Sequence, residues 1–427
     1  MAAPAGGEPR TTTPGTPWLG LLVVGIATAI AYAPTLGNGL TNWDDDAYVL
    51  NNPWLGMPAA DAFVSMLGSF YKGNYHPLTM ISLWLDHRIS GGSIVAHHAV
   101  NGLLHVANTL LAGLVVLGLT RRRAVALAAA SLFGLHPIHV ESVAWISERK
   151  DVLYAFFYLA ALLVYVRAVQ AAAPRPRWRG LGLAFALFAA SLLSKGVAVS
   201  LVPTLLAVDW LLGRSLRSPR VWLEKAPFLA MALASGLITL AAQGAVGQLA
   251  GESQWSLVER IALAGTAYCR YLALLFAPVG LSAFHPYPAR VDGALPAAYW
   301  LGPVGFLAVQ GLTLALVRRA PVVAFGLGFF TLNVALLLQL VPVGGALVAE
   351  RYVYVASLGV FVAVAAVAVE LADRRPALLR PLLAAALVGL AALGAGTWQR
   401  SRVWQDSLHL WNDTLARHPD VPVARLN

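Results

Sequence analysis

Charge is scarce in this chain. Only 12% of its 427 residues are charged, about half the share of an average soluble domain. Cys269 is the single cysteine, which excludes an internal disulfide and a multi-thiolate metal site. Lysine occurs only at Lys72, Lys150, Lys195 and Lys225, against twenty-six arginines, a bias that fits a GC-rich bacterial genome. The first apolar run lacks a small-residue cleavage site, so it reads as a retained helix rather than a signal peptide.

Hydrophobic residues make up 58% of the chain and the mean hydropathy is +0.68. Runs of the length needed to cross a bilayer as helix, roughly twenty residues, begin near Pro17, His97, Ala124, Val152, Gly180, Gly196, Ala226, Ile261, Trp300, Pro321, Tyr352 and Leu378. The composition predicts an all-α polytopic membrane protein. A net charge of +10 would suggest nucleic acid in a soluble chain. Here the basic residues fall in short turns, where they act as topology signals, and no nucleic-acid partner is expected.

Those clusters lie at Arg121–Arg123, at 175–179, at 214–225, at Arg318–Arg319 and at Arg374–Arg375. With residues 1–16 as a cytoplasmic tail, the first three return inside after two, four and six crossings. The run from Ile261 to Pro278 carries Arg270 and follows Glu259–Arg260, a costly arrangement facing lipid. If it does not cross, the last two clusters also fall inside. The expectation is eleven crossings over 17–397, with twelve as the alternative. Residues 252–290 then form an external segment that dips in or lies along the surface, and 398–427 an external stub.

This topology collects unusual polar groups on one face. The large first external loop holds Asp44, Asp45 and Asp46, flanked by Trp43 and Tyr48, with Lys72, His76 and Asp86 further on. A carboxylate held at headgroup depth by interfacial aromatics can act as a base or bind a cation. "HPIHVESVAWISERKD" puts His136, His139, Glu141, Glu148, Arg149, Lys150 and Asp151 in sixteen residues between two spans. The His139/Glu141 spacing is no recognisable zinc pattern, and an ion-pair network securing a helical hairpin is the bland alternative. Lys195 stands alone between apolar stretches, which suits the tip of an external hairpin open to an anion. Glu350–Arg351 precedes a span in the same way, where an arginine can anchor the interface or hold a phosphate bidentately. His98, Asn101, His105 and Asn108 share one helical face and read as inter-helix hydrogen bonding.

"WDDDAYVLNNP", "NYHPLTMISLWLD", "HHAVNGLLHVANTLL", "LFGLHPIHVESVAWISERKDVL", "LLSKGVAVSLVPTLLAVDW" and "ERYVYVASLGVF" resemble, in order, the membrane half of TMTC-type proteins, transmembrane and tetratricopeptide-repeat proteins of the GT-C glycosyltransferase class. The resemblance runs from Asn42 to Phe361 and is weakest over 244–281. It implies a GT-C-like bundle with a large first external loop and the transfer of a sugar, mannose first, from a polyprenyl- or dolichyl-phosphate donor to a protein Ser/Thr hydroxyl on the non-cytoplasmic face. It matches the family's Asp-Asp pair to Asp44 and Asp45, with Asp46 as support. It also lines the second loop with His136, Glu141, Glu148, Arg149 and Lys150, and turns Arg351 to the donor phosphate; His139 is a further candidate in that loop.

On that reading Asp45 is the first choice of base and Asp44 the second. Arg351, Lys195, Arg149 and Lys150 receive the phosphate charge, and His76 and Glu350 are candidates for the acceptor side. The co-substrate is a lipid-linked sugar, the partners are an acceptor protein or peptide and membrane lipids, and no cofactor or metal is expected, with a divalent ion on the aspartates as the alternative. The implied location is a bacterial inner membrane with the site facing periplasm or exterior. The relatives continue into a repeat array, whereas here Trp404, Leu408, Trp411 and Leu415 begin one helix before Asn427, so a partner bearing tetratricopeptide repeats is a further expectation. A different lipid-linked sugar or glycan acceptor, a secondary transporter and a membrane scaffold are the rival readings.

Overall fold

A computed structural model describes residues 17–171, 173–247, 254–341 and 344–426; the expected cytoplasmic tail, 1–16, lies outside them. The chain opens with α1 (Trp18–Tyr32), then a polar excursion carrying α2 (Ala59–Gly68) and α3 (Pro77–Ser90). It continues through α4 (Ile94–Thr120), α5 (Arg123–Leu135), the short α6 (Val140–Ala144), α7 (Arg149–Gln170), α8 (Pro174–Ser194), α9 (Leu201–Leu211) and α10 (Pro219–Ala245). Then come α11 (Leu257–Phe276), α12 (Leu301–Leu316), α13 (Pro321–Val334), α14 (Ser357–Arg374), α15 (Leu379–Val403), α16 (Ser407–Arg417) and α17 (Pro422–Leu426). A two-stranded antiparallel ribbon, β1 (His285–Pro286) with β2 (Ala346–Val348), ties the segment after α11 to the segment before α14.

The protein is a multi-pass helical membrane protein. Among the described residues, six helical stretches are long and apolar enough to cross a bilayer, and a seventh if α5 and the segment after it count as one broken span bent by 50°. The bend has a local cause. Pro137 disfavours helical backbone at the residue before it, and His136 is extended, with φ −80° and ψ 125°.

The ion pairs sort the two ends of the bundle. Arg122 after α4 pairs with Glu370 and Asp373 at the end of α14, and Arg122, Arg319 and Arg374 line one cavity. Arg177 at the start of α8 reaches Glu224 of α10. The basic clusters therefore share one end. That end also holds a buried network the sequence reading did not single out: Asp209, Glu224, Lys225 and Arg214, with the Tyr165 hydroxyl donating to Asp209. Unusual polar groups are thus not confined to the opposite end.

α11 has both tips at that opposite end. Arg260 donates to the Leu340 carbonyl at 3.0 Å, and the carbonyl of Leu275 lies 3.2 Å from the His136 ring. Midway along, α11 crosses α12 so closely that a Cβ on Gly302 would stand 2.2 Å from the Thr266 nitrogen. That backbone-on-backbone contact explains the glycines at 265 and 302. Within the bundle, the polar stripe of α4 bonds its neighbours as expected. Asn101 donates to the Val143 carbonyl, Asn108 to that of Val152, and His105 meets the Tyr354 hydroxyl at 2.6 Å.

Candidate active site

The first loop is shaped by its own side chains. Asp46–Leu50 forms a wide helical turn closed by the Asn51 N–H on the Asp46 carbonyl at 2.6 Å. Asn52 then accepts from the Trp54 N–H at 3.0 Å, the local side-chain turn that asparagine favours. This turn sends the three aspartates in three directions.

Asp45 points inward and is 1% exposed. One of its oxygens accepts from the backbone and hydroxyl of Thr41, both at 3.0 Å, and the other from the backbone and hydroxyl of Ser147, at 3.0 and 2.5 Å. Burial pushes its acidity down and those four donors oppose the shift. With its lone pairs occupied, Asp45 is a clasp between the first and second loops. Asp46 is exposed and accepts the next residue's N–H at 2.9 Å. Asp44 is half-buried, and its carboxylate accepts no hydrogen bond from the described residues. Burial raises its pKa, with Lys150 the strongest opposing influence, then Glu148 adding to the rise and Arg351 opposing it. The order expected from sequence, Asp45 before Asp44, therefore does not match the geometry.

Glu148 gathers the cations. Lys150 lies 3.2 Å, Lys195 3.4 Å and Arg351 3.3 Å from its carboxylate. Lys195 also holds Asp151 at 2.5 Å, and Arg351 also pairs with Glu141. Lys195 occupies an extended residue between α8 and the turn before α9, as its isolation in the sequence predicts. These three cations keep an accessible edge, their side chains being 12%, 20% and 15% exposed. Arg149 has none, at 0%. Its guanidinium is spent on Asp86 at 2.6 Å, Ser82 at 2.7 Å, the His97 carbonyl at 2.9 Å and Asn101, so it ties α3 to α4 and does not join the group. Adjacent residues of a helix point about 100° apart, which is why Arg149 and Lys150 part company.

The imidazoles divide similarly. His136 is bonded to the Ile138 N–H and faces the Leu275 carbonyl, and His139 lies between the Phe133 carbonyl and the Ser357 hydroxyl, both at 2.9 Å. Both rings are committed to packing. His76 is buried, stacked on Tyr48 at 5.6 Å, and neither ring nitrogen has a hydrogen-bond partner among the described residues. Burial, with the positive charges of Lys150 and Lys195, holds its pKa down at about 3, so the ring is neutral. Glu350 faces away from Arg351's carboxylates. It accepts from the Ser282 N–H at 2.5 Å with His285 at 3.4 Å, and burial raises its pKa to about 7. Among the described residues, no group of three or more His, Cys, Asp or Glu side chains is arranged to share a metal ion.

An aromatic wall closes one side. Trp43 stacks on Trp145 at 4.5 Å, Trp145 on Trp404 at 5.6 Å, and Trp411 leans on Trp43 at 5.2 Å. The Arg351 guanidinium sits 5.8 Å above Trp43 and 5.5 Å above Trp145. The C-terminal segment is therefore built into the site. The Gly39 N–H donates to the Gln405 carbonyl at 2.8 Å, and the Trp411 indole to Asn42 at 2.8 Å. Helical spacing had placed Leu408 on the buried face with Trp411, but it is 69% exposed and Leu410 is buried instead. Among the described residues, the covered face is the one turned to the first loop, with the Trp411 indole on Asn42.

Residues 76–242 match the family model described as dolichyl-phosphate-mannose-protein mannosyltransferase. The chain is 34% identical over 183 residues to protein O-mannosyl-transferase Tmtc2 of Drosophila melanogaster, covering 40% of this chain and 19% of that protein. It is 32% identical over 176 residues to the human protein O-mannosyl-transferase TMTC4, covering 36% and 24%. The alignments thus reach about a fifth to a quarter of these relatives' length. Among solved structures, the Archaeoglobus fulgidus oligosaccharyltransferase superposes with a TM-score of 0.49 at 13% identity, covering 96% of this chain and 58% of that one. ArnT from Cupriavidus metallidurans, bound to undecaprenyl phosphate, gives 0.41 at 15%, covering 94% and 78%. The resemblance of the quoted motifs to TMTC-type proteins is borne out by these relatives.

Proposed function

We propose that this TMTC-like chain is an integral-membrane glycosyltransferase. It moves a sugar, mannose first, from a polyprenyl-phosphate donor to a serine or threonine hydroxyl of a protein. One observation carries the reading: the half-buried carboxylate of Asp44, with no hydrogen bond from the described residues, feels the charges of Lys150 and Arg351, which meet Lys195 on Glu148 at the end of the bundle opposite the basic clusters.

An alcohol is a poor nucleophile until its proton is taken as it attacks. Asp44 accepts that proton, its raised pKa making it a better base, and such transfer contributes about 10²- to 10⁴-fold. The hydroxyl oxygen bonds to the anomeric carbon as the bond from that carbon to the phosphate oxygen breaks, and the electron pair leaves on the phosphate. A single displacement of this kind inverts the anomeric centre. Lys150, Lys195 and Arg351 receive the charge. They are already oriented by Glu141, Glu148 and Asp151, and preorganised charge in a poorly solvated site acts strongly. The neutral ring of His76 offers one donor and one acceptor to a substrate hydroxyl. Asp45 serves by holding the loop that carries Asp44. No divalent ion is required on this reading, and chelator-treated protein keeps its rate.

The same reading takes α11 as lying along the outer face, which leaves eleven crossings and puts the C-terminal segment outside with the site. The test is transfer from polyprenyl-phosphate mannose to a serine-containing peptide in proteoliposomes. Hexose on the peptide that is lost in Asp44→Asn supports the reading. A folded Asp44→Asn protein transferring at the wild-type rate overturns it.

A further inference from the structure

None of the apolar window of α15 is buried, although the last turns of the helix pack on α5, where the Thr397 hydroxyl donates to the Leu135 carbonyl at 2.7 Å. Between α15, α14 and the end of α5 lies a wedge of about 710 Å³, within the range of ligand pockets, about 300–1,000 Å³. Its walls are apolar, with Leu132, Phe361 and Val364 facing Gly389 and Gly396 of α15. Its outer end is not apolar, since Gln399, Arg400 and Arg417 line it. Arg400 is 6% exposed and gives one nitrogen to Asp413 at 2.5 Å, while its other two nitrogens are buried without a hydrogen-bond partner among the described residues. Buried guanidinium donors left unpaired are costly. An apolar helix packed into the wedge would leave them unpaired, whereas a phosphate with a hydrocarbon tail fits both ends of the recess.

We infer that this wedge is a second lipid site, which takes a phosphate-headed lipid with its tail between α14 and α15 and its phosphate on Arg400 and Arg417. It shares no residue with the Lys150–Lys195–Arg351 group and does not depend on the transfer reaction. Asp413, which also pairs with Arg417, competes for both arginines and weakens the site. A Cβ on Gly389 meets nothing within 4 Å, and one on Gly396 only Pro137 at 3.8 Å, so side chains grown there fill the wedge without displacing backbone.

The test is photolabelling of the full chain in phosphatidylcholine nanodiscs with a diazirine-bearing long-chain alkyl phosphate, mapped by mass spectrometry. The expected label falls on 389–403 and 360–364. Unlabelled polyprenyl phosphate competes, and polyprenol and millimolar inorganic phosphate do not. Gly389→Phe and Gly396→Phe cut the label at least tenfold, Arg400→Gln does the same, and Asp413→Asn increases it several-fold. Asp44→Asn leaves it unchanged, which separates this result from any failure of transfer. Equal labelling of the filled variants, competition by polyprenol as good as by the phosphate, or competition by inorganic phosphate alone would each overturn the site. Cross-linking of α15 to a second copy in lipid-free particles would do so as well, because the wedge would then be a protein interface.

Discussion

The carboxylate of Asp45 accepts from both the backbone N–H and the hydroxyl of Ser147, 102 positions further along the chain. Its neighbour Asp44 accepts no hydrogen bond from the described residues and feels the charge of Lys150. Two identical side chains side by side thus have different surroundings, one buried and holding two loops together, the other half-buried among charges.

Asp44→Asn is expected to lower kcat by about 10²-fold or more with little change in thermal midpoint. Asp45→Asn turns an amide N–H₂ toward donors in a buried site, which costs about 1–3 kcal/mol, and lowers activity together with stability. Transfer rates and scanning fluorimetry on the two variants separate the roles. Equal midpoints would remove the clasp.

Arg149 and Lys150 are expected to differ as sharply. Arg149→Ala leaves Asp86 without its guanidinium and costs about 3–5 kcal/mol, seen as a lowered midpoint or poor folding. Lys150→Gln leaves Lys195 and Arg351 on Glu148, so the fold survives while donor KM rises and kcat falls. A Lys150→Gln enzyme with wild-type kinetics would take this residue out of the phosphate site.

Glu350 sets a pH dependence of stability. Its folded pKa, about 7, lies above the ordinary value of 4.5 because burial favours the neutral acid. Below about 4.5 both folded and unfolded chains hold the proton and the contribution is whole. Between about 4.5 and 7 the unfolded chain loses the proton while the folded one keeps it, so stability falls as pH rises and levels off above 7. Midpoints measured from pH 4 to 8 should show that decline in the wild type and a shallower one in Glu350→Gln.

Removal of 404–427 takes Trp404 from Trp145, Trp411 from Trp43 and the Gln405 carbonyl from Gly39. The truncated chain is expected to insert normally but to lose at least tenfold in transfer, since the wall beneath Arg351 opens. Trp411→Ala reports the same effect with less disturbance. Wild-type transfer by both would make the C-terminal segment a bystander.

Membrane sidedness can be read by cysteine labelling in a Cys269→Ser background. Lys72→Cys is expected to react with an impermeant maleimide added outside intact cells, and Arg319→Cys only after lysis. Reaction of both from one side would put the site end and the basic end on the same face of the membrane, which the fold does not allow.

The sequence by itself determined the solvent and the ends. Scarce charge and recurring apolar runs require a bilayer, because only there is such a surface stable, and arginine-rich turns mark one end of the bundle, since charge is costly within lipid. It also marked Asp44, Lys150, Lys195 and Arg351, because ionisable groups beside membrane helices stand out. Only the tertiary structure decided between neighbours. Whether Asp44 or Asp45 keeps free lone pairs depends on Thr41 and Ser147, polar residues too common to be noticed in a sequence. Whether Arg149 or Lys150 faces the site depends on Asp86 arriving from another helix. Trp404 and Trp411 read as the start of a repeat because periodicity tells which residues share a face, not which surface that face will meet. Partners are set by packing, and packing is the sum of contacts that no local pattern contains.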